Sequence, residues 1–267
     1  MMSYYLGIDA GSSYIKLALV DETETMAFRD VVRRGADIDA SCRAGFDGLL
    51  RRHSIEEGQV ERIIATGYGR NQVTFSDEVI TEITALAIGA HAIDRTVRCV
   101  IDIGGQDSKV IVVDRAGRVL DFMMNHKCAA GTGKFLEVTS ASLGVAAEQL
   151  GAVSRRSKKV LKLSSTCTVF AESEVVSCVA RGEKTEDIIK ALHRTIAAQA
   201  RSLLYQLDAV SEGTTAFVGG LAMNVGMVDE LSATLTEAIL VPLHPQFVGA
   251  YGAALLSKRK MAAALPM

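Results

Sequence analysis

The stretch IDAGSSYIKLALVD, residues 8–21, returns later in the chain as IDIGGQDSKVIVVD, residues 101–114. At this constant offset of 93 positions, six of the fourteen residues are identical and most others keep their chemical character. Both stretches have the pattern of a hairpin: a buried strand, a glycine-containing turn and a second strand with alternating apolar residues. An internal repeat of this kind predicts a duplicated architecture. We therefore expect an α/β protein with two related lobes.

The turn of each repeat carries residues suited to binding phosphate and magnesium. Asp9 and Asp102 end the first strand, and a glycine, Gly11 or Gly104, follows two residues later. Such a turn offers backbone N–H groups to phosphate oxygens, and its carboxylate can hold a hydrated magnesium ion. A single copy would equally fit an ordinary tight hairpin with a capping aspartate. The duplication, with a lysine at the same place in both copies, favours phosphate binding.

Two further segments, MNHKCAAGTGK at residues 124–134 and SSTCTVFAESE at residues 164–174, each place a cysteine just before a predicted helix start. The N–H groups and the dipole at a helix start favour negative charge and lower the pKa of a thiol. Cys128 and Cys167 supply half of the usual four-cysteine shell of an iron–sulfur cluster, which a symmetric homodimer would complete. The alternatives are two buried thiols, a disulfide or a zinc site, although zinc sites usually contain CxxC pairs, which this chain lacks.

A third glycine element, Gly219-Gly220, ends a predicted strand at residues 214–218 and precedes Asn224 and a helix. Two glycines there would allow a flat ligand to approach, and Asn224 could contact a ribose or a base edge. An ordinary strand-to-helix turn is the alternative. Because the element follows two phosphate-binding turns, it is consistent with the adenosine side of a nucleotide site.

The composition limits the possible functions. The chain has 267 residues, of which 49% are hydrophobic and 22% charged, and its net charge is −2. These values are ordinary for a globular protein and argue against a nucleic-acid surface. The apolar run at residues 4–8 is too short for a signal peptide or a membrane span. We expect a cytoplasmic protein with no nucleic-acid partner and no membrane partner.

The remaining hydrophobic pattern alternates between strand and helix periods within each lobe. Strands are predicted at residues 26–32, 61–66, 97–103, 109–114 and 119–123, and helices at 41–53, 78–93 and 185–207. Cys42 and Cys99 fall within these elements and Cys178 falls within a further helical run, and all three are predicted to be core residues. The predicted lobes are residues 1–95 with 247–267, and residues 96–246.

The ordered set Asp9-x-Gly11, Asp102-x-Gly104-Gly105 and Gly219-Gly220 resembles the sugar kinase, heat-shock chaperone and actin superfamily. Within it, residues 65–70, 101–109, 127–133 and 167–174 resemble the activator component of 2-hydroxyglutaryl-CoA dehydratase and other 2-hydroxyacyl-CoA dehydratases, a BadF/BadG/BcrA/BcrD-type ATPase. The resemblance covers essentially the whole chain. It implies two actin-like (ribonuclease H-like) lobes with a nucleotide cleft between them, a homodimer, ATP or ADP with Mg²⁺, and one 4Fe–4S cluster per dimer held by Cys128 and Cys167.

The resemblance also implies roles for individual residues. Asp9 and Asp102 would hold magnesium-bound water, and Gln106 or Asp107 would position the attacking water. The implied nucleotide-binding residues are Gly11, Ser12, Ser13, Lys16, Gly104, Gly105, Gly133, Gly219, Gly220, Asn224 and Gln246. The implied function is ATP-driven transfer of a low-potential electron, received from flavodoxin or ferredoxin, to a partner (R)-2-hydroxyacyl-CoA dehydratase.

Other functions fit parts of the sequence. The ATPase subunits of benzoyl-CoA reductase are similar too, so the partner could instead be a benzoyl-CoA reductase or a related double-cubane iron–sulfur reductase. A small-molecule kinase of the same fold without a cluster is a second alternative, and a non-catalytic ATP-binding regulator is a third. The kinase and the regulator leave the paired cysteine segments unexplained.

Overall fold

The computed structural model describes residues 2–125, 132–163, 168–207, 212–236 and 238–264. The chain forms two compact units. Unit 1 comprises residues 1–97, 113–120 and 246–267, and unit 2 comprises residues 98–112 and 121–245. Each unit contains one β-sheet accompanied by helices, as the α/β prediction requires.

Unit 1 is built on a five-stranded sheet with the order β3-β2-β1-β4-β5. The strands are β1 (Tyr4–Ala10), β2 (Tyr14–Val20), β3 (Met26–Arg33), β4 (Val60–Thr66) and β5 (Glu78–Val79). Strand β1 is antiparallel to β2 and parallel to β4. The helices are α1 (Ile38–His53), α2 (Glu82–Ile93) and α8 (Val248–Ala264). The predicted helix 78–93 starts too early, because residues 78 and 79 pair with β4 and Thr81 caps α2.

Helix α8 lies very close to the sheet and to α2 in unit 1. A Cβ on Gly7 of β1 would lie 1.9 Å from the carbonyl oxygen of Ala250, and one on Gly252 would lie 1.8 Å from that of Ala85. Any side chain at these two glycines would push α8 away from its neighbours. The close packing brings the first turn of α8 to the carboxyl end of β1.

Unit 2 contains a four-stranded sheet with the order β8-β7-β6-β9. The strands are β6 (Val97–Ile103), β7 (Ser108–Val113), β8 (Val119–Asn125) and β9 (Thr214–Val218). The helices are α3 (Gly133–Ser142), α4 (Leu150–Ser154), α5 (Thr168–Ala180), α6 (Thr185–Tyr205) and α7 (Val225–Leu235). Apolar side chains of the sheet and helices form one core. None of the helices within the described ranges has the length and apolar character needed to cross a bilayer.

Three of the five cysteines lie within the described residues. Cys42, Cys99 and Cys178 are buried, as the sequence predicts. Burial raises the pKa of the Cys42 thiol to about 12, so this side chain stays neutral and unreactive. Cys128 and Cys167, the predicted cluster ligands, lie outside the described residues.

Candidate functional site

The repeated hairpins place the same pair of residues at the same register in both units. Asp9 of β1 is paired with Lys16 of β2, and Asp102 of β6 is paired with Lys109 of β7. The ammonium of Lys16 lies 3.0 Å from Asp9 Oδ2, and that of Lys109 lies 3.3 Å from Asp102 Oδ2. The repeat in sequence is therefore also a repeat in three dimensions, with a carboxylate–ammonium pair at the end of each first strand.

The two Asp–Lys pairs differ in the number of partners that contact the lysine ammonium and the aspartate oxygens. Lys109 is 2% exposed and also lies 2.7 Å from Asp107 Oδ1, so two carboxylates contact its ammonium. Lys16 is more exposed, and Asp9 Oδ1 is buried with no hydrogen-bond partner. A buried carboxylate oxygen without a partner carries a desolvation cost, which a bound cation or its water would remove. The donor chemistry of Asp9 thus fits the predicted hydrated magnesium ion.

A glycine in the left-handed backbone region contacts each aspartate from a neighbouring strand. Gly67 follows β4 with φ +88°, and Gly219 follows β9 with φ +85°. A Cβ on Gly67 would lie 2.4 Å from Asp9 Oδ1, and one on Gly219 would lie 2.2 Å from Asp102 Oδ1. The two glycines are therefore equivalent in space. Gly67 is not among the predicted site residues, because the 93-residue offset does not relate it to Gly219, although it lies in a glycine-containing loop of the kind that approaches ligands.

The turn of the first hairpin is held by bonds within unit 1. The N–H of Gly11 donates to the carbonyl of Asp9 at 3.0 Å. Arg34 donates to the carbonyls of both Ser12 and Ser13, through its guanidinium and its backbone N–H respectively. A Cβ on Gly11 would lie 3.0 Å from the ammonium of Lys16. The predicted phosphate-binding residues of this hairpin therefore occupy one fixed turn beside the Asp9–Lys16 pair.

The turn of the second hairpin is bonded directly to helix α3. The N–H of Gly104 donates to the carbonyl of Asp107 at 2.9 Å and closes the turn. The carbonyls of Gly104 and Gly105 accept the N–H groups of Gly133 and Lys134 at 2.8 and 2.9 Å. The N–H of Gly133, a residue predicted to bind the nucleotide, is thus bonded within unit 2. Gln106 is exposed in the same turn.

Two other predicted nucleotide-binding residues are Gly220, which has open space beside it, and Gln246, which has an unsatisfied amide oxygen. Gly220 begins the 3₁₀ turn Gly220–Met223, and a Cβ built on it would meet no atom within 4 Å. Gln246 lies in the 3₁₀ turn Pro245–Phe247 before α8, and its Oε1 is buried without a partner. An amide oxygen in this state requires a donor, such as a hydroxyl or water. Both residues keep their predicted role as a proposal.

Asn224, predicted to contact a ribose or base, is engaged within unit 2. Its Oδ1 accepts the N–H of Met227 at 3.1 Å and caps α7. Its Nδ2 lies 3.2 Å from Nε2 of the fully buried His193 of α6. Because an amide nitrogen only donates, His193 Nε2 is the acceptor and the imidazole is neutral. The observed contacts of Asn224 therefore stabilise the start of α7.

The buried His193 predicts a pH dependence of stability. Burial lowers its pKa from 6.5 to about 4. The unfolded chain therefore binds a proton more readily than the folded chain. The free energy of unfolding is at its full value above pH 6.5 with respect to this histidine, and it decreases as the pH falls toward 4. For one proton the slope reaches about 1.4 kcal/mol per pH unit. His193→Gln, which keeps an acceptor for Asn224, should lose free energy of unfolding less steeply between pH 6.5 and 4.5. Urea unfolding across this range measures both slopes, and equal slopes would contradict a neutral His193.

The elements that flank the predicted cluster cysteines belong to unit 2. Strand β8 ends at Asn125, six residues that include Cys128 lie outside the described ranges, and α3 begins at Gly133. Helix α5 begins at Thr168, immediately after Cys167. Helices α3 and α5 contact each other. The helices that follow the two cysteine segments are therefore neighbours, and α3 is also bonded to the turn of the second hairpin.

Comparison with known proteins agrees with the family resemblance that the duplicated hairpins indicate. Residues 6–257 match the BadF/BadG/BcrA/BcrD ATPase family. This chain belongs to that family. It is 38% identical over 263 residues to the (R)-2-hydroxyglutaryl-CoA dehydratase activating ATPase of Acidaminococcus fermentans, a match that covers 98% of this chain and 100% of the relative. It is 31% identical to one of the subunits of the benzoyl-CoA reductase of Thauera aromatica, with 95% and 93% of the two chains covered.

A solved structure confirms the fold of this BadF/BadG/BcrA/BcrD-family ATPase. The activator of the 2-hydroxyisocaproyl-CoA dehydratase from Clostridium difficile, with bound ADPNP, superimposes with a TM-score of 0.92 at 34% identity. The match covers 99% of this chain and 98% of the other. The predicted fold class, family and ATPase activity class are therefore confirmed.

Proposed function

We propose that this ATPase activates a 2-hydroxyacyl-CoA dehydratase by ATP-dependent transfer of a low-potential electron. The observation that carries the proposal is the duplicated Asp–Lys hairpin. The turn of its second copy is hydrogen-bonded to the start of α3, the helix that follows the Cys128 segment. The relative from Acidaminococcus fermentans, named as the activating ATPase of a dehydratase, supports this class of partner. Its similarity extends over nearly the whole chain.

The residues of the hairpins are proposed to bind the phosphates of ATP with Mg²⁺. Backbone N–H groups of the two turns contact phosphate oxygens, and the Lys16 ammonium adds a positive charge beside Asp9. Asp9 and Asp102 hold water molecules of the ion. When bound, magnesium neutralises charge that develops on the transferred phosphoryl group. Gln106, exposed in the second turn, is the better placed candidate to orient the attacking water, because Asp107 Oδ1 is bonded to Lys109.

Helix α3 is proposed to connect nucleotide state to the cysteine segment. Its first two N–H groups bond to Gly104 and Gly105 in the predicted phosphate-binding turn. If that turn moves when the terminal phosphate is lost, the start of α3 moves with it, because the hydrogen bonds link the two segments. The Cys128 segment is continuous with the start of α3, and α3 contacts α5, which follows Cys167. Both cysteines are thus adjacent in the chain to helices that the turn can displace.

We further propose one 4Fe–4S cluster per homodimer, with Cys128 and Cys167 of each chain as its ligands. Two thiolates from each of two chains complete a four-cysteine shell. Such a cluster supplies one-electron chemistry at a potential set by burial and by hydrogen bonds to sulfur. Reduced flavodoxin or ferredoxin is the proposed electron source.

Anaerobic reconstitution with a purified 2-hydroxyacyl-CoA dehydratase tests the function. We expect dehydratase activity to appear when this protein, ATP and a reduced flavodoxin or ferredoxin are all present. Replacing ATP with the non-hydrolysable analogue ADPNP should abolish activation, because binding alone does not complete the cycle. ATP hydrolysis without activation of the dehydratase would contradict the proposed partner.

The similarity to the benzoyl-CoA reductase of Thauera aromatica favours a second candidate partner. In this alternative, the same ATPase and cluster deliver the electron to a benzoyl-CoA reductase or a related double-cubane iron–sulfur reductase. One experiment distinguishes the two candidate partners: the same ATP-dependent assay is run with each acceptor protein in turn. Turnover stimulated by a small-molecule phosphoryl acceptor, in a colourless protein, would instead indicate a kinase.

A further inference from the structure

Thr66 is a buried polar residue that the proposed mechanism does not yet use. It is the last residue of β4, is fully buried, and its Oγ1 has no hydrogen-bond partner. The register of the sheet pairs it with Asp9 on the neighbouring parallel strand β1. Residues paired across adjacent strands project to the same face of a sheet. Thr66 Oγ1 and Asp9 Oδ1 therefore lie on one face, both buried and both without a partner.

The described surroundings of Asp9 give Oδ2 a polar partner and leave Oδ1 without one. The Lys16 ammonium contacts the other carboxylate oxygen, Oδ2, at 3.0 Å. Gly67 lies against Oδ1 without a side chain, and a Cβ on Gly249 in the first turn of α8 would lie 3.8 Å from Oδ2. The carboxylate oxygen can only accept hydrogen bonds, whereas the threonine hydroxyl can both donate and accept. One water molecule bonded to both oxygens would satisfy both groups.

The described residues of unit 2 do not repeat this arrangement. Gly219 is the spatial counterpart of Gly67, so Val218 takes the place of Thr66. Val218 is fully buried and carries no polar atom. The oxygens of Asp102 are not among the described buried atoms that lack a partner. Among the described residues of the two duplicated sites, only the Asp9 site thus places unsatisfied oxygens on two residues that are paired across neighbouring strands.

We infer that Thr66 Oγ1 and Asp9 Oδ1 together hold one water ligand of a hydrated divalent cation. The inference rests on the proposed function, in which Asp9 holds the magnesium ion that accompanies ATP. Magnesium retains several waters and usually binds through only one or two carboxylates and substrate phosphates. A neutral hydroxyl that orients one of those waters fits this preference, and the all-oxygen set fits Mg²⁺ or Mn²⁺. Thr66 is thus a positioning residue of the cation site.

Manganese binding provides a direct test, because Mn²⁺ occupies oxygen sites of the magnesium type and gives an electron paramagnetic resonance signal when free. The purified full-length protein is titrated with Mn²⁺ in the presence of ADPNP. Thr66→Val, which removes the hydroxyl and keeps the shape, should weaken Mn²⁺ binding about tenfold through the loss of one hydrogen bond. Thr66→Ser, which keeps a hydroxyl, should stay close to the parent. Thr195→Val is the matched control, since its hydroxyl bonds only within α6 to the carbonyl of Ala191.

Thermal unfolding without metal or nucleotide separates a cation role from a structural role. Because the Thr66 hydroxyl has no partner among the described residues, Thr66→Val should unfold at the parent temperature or above it. A lower unfolding temperature with unchanged Mn²⁺ affinity would overturn the inference, and so would a stable Thr66→Val with parent-like Mn²⁺ affinity. If the parent itself binds no Mn²⁺ with ADPNP, the proposed function fails as well. If the parent binds Mn²⁺ and Thr66→Val binds it with the same affinity, the role of Thr66 is contradicted but the proposed function is not.

Discussion

Replacing either Cys128 or Cys167 with serine is expected to remove the iron–sulfur cluster from the protein. A symmetric dimer would lose two of its four thiolate ligands with each substitution, and serine is a poor ligand for cluster iron. Protein purified without oxygen should change from brown to colourless, and its iron should fall from about four atoms per two chains to almost none. Visible absorption, iron analysis and native mass measure the change. Activation of the dehydratase should be lost together with the cluster.

A buried cysteine elsewhere provides the control for this experiment. Cys178 lies in α5, the helix that follows Cys167, and is 1% exposed. Cys178→Ala should keep its iron and its colour, because this thiol packs in the core. A parent protein that stays colourless after anaerobic treatment with iron and sulfide would contradict the proposed cluster. Cys128 and Cys167 would then be packing residues of a family ATPase without electron transfer.

Gly219→Ala is expected to lower ATP turnover by about a hundredfold, through displacement of Asp102. The added Cβ would lie 2.2 Å from Asp102 Oδ1, and the residue would be held at φ +85°. Either the aspartate or the turn after β9 must move, and both belong to the proposed nucleotide site. Steady-state ATP hydrolysis and the affinity for ADPNP measure the effect. Gly67→Ala should act similarly through Asp9, since its Cβ would lie 2.4 Å from Oδ1.

Gly182→Ala separates the effect of backbone strain from the effect of the steric clash between a Cβ at position 219 and Asp102. Gly182 also has a positive φ, +76°, but a Cβ there would meet no atom within 4 Å. Alanine in this conformation should cost about 1 kcal/mol of stability and leave ATP turnover unchanged. Equal losses of turnover in Gly219→Ala and Gly182→Ala would show that strain alone matters. That outcome would contradict the assignment of Asp102 to the nucleotide site.

Much of the candidate site could be predicted because it lies in short, locally patterned stretches. The alternation of apolar residues and the offset of 93 positions located both hairpins, and the structure pairs Asp9 with Lys16 and Asp102 with Lys109 as equivalent residues. The cysteine segments were recognised because each places a cysteine just before a predicted helix start, and both cysteines lie outside the described residues. Hairpin pairing joins residues close in sequence, so local periodicity is sufficient to predict it.

Helix boundaries and side-chain partners were predicted less well. The pattern of helix α2 continued back through Glu78, but pairing with β4 made residues 78 and 79 a strand. The contact of Asn224 with a nucleoside stays a prediction, whereas its cap of α7 and its contact with His193, which lies 31 positions earlier, were not predicted. A polar side chain near a predicted site has several available partners, and spacing alone does not choose among them.

The sequence by itself determined the duplicated α/β architecture, the two Asp–Lys hairpins and the resemblance to the activating ATPases. Those features are encoded by adjacent residues and by a constant offset, and no knowledge of distant contacts is needed. Only the tertiary structure decided that Gly67 is the counterpart of Gly219, that Thr66 stands beside Asp9, and that α3 is bonded to Gly104 and Gly105. These relations join segments separated by loops and helices of different length in the two units. Strand pairing and helix packing bring them together, so no fixed spacing in the chain records them.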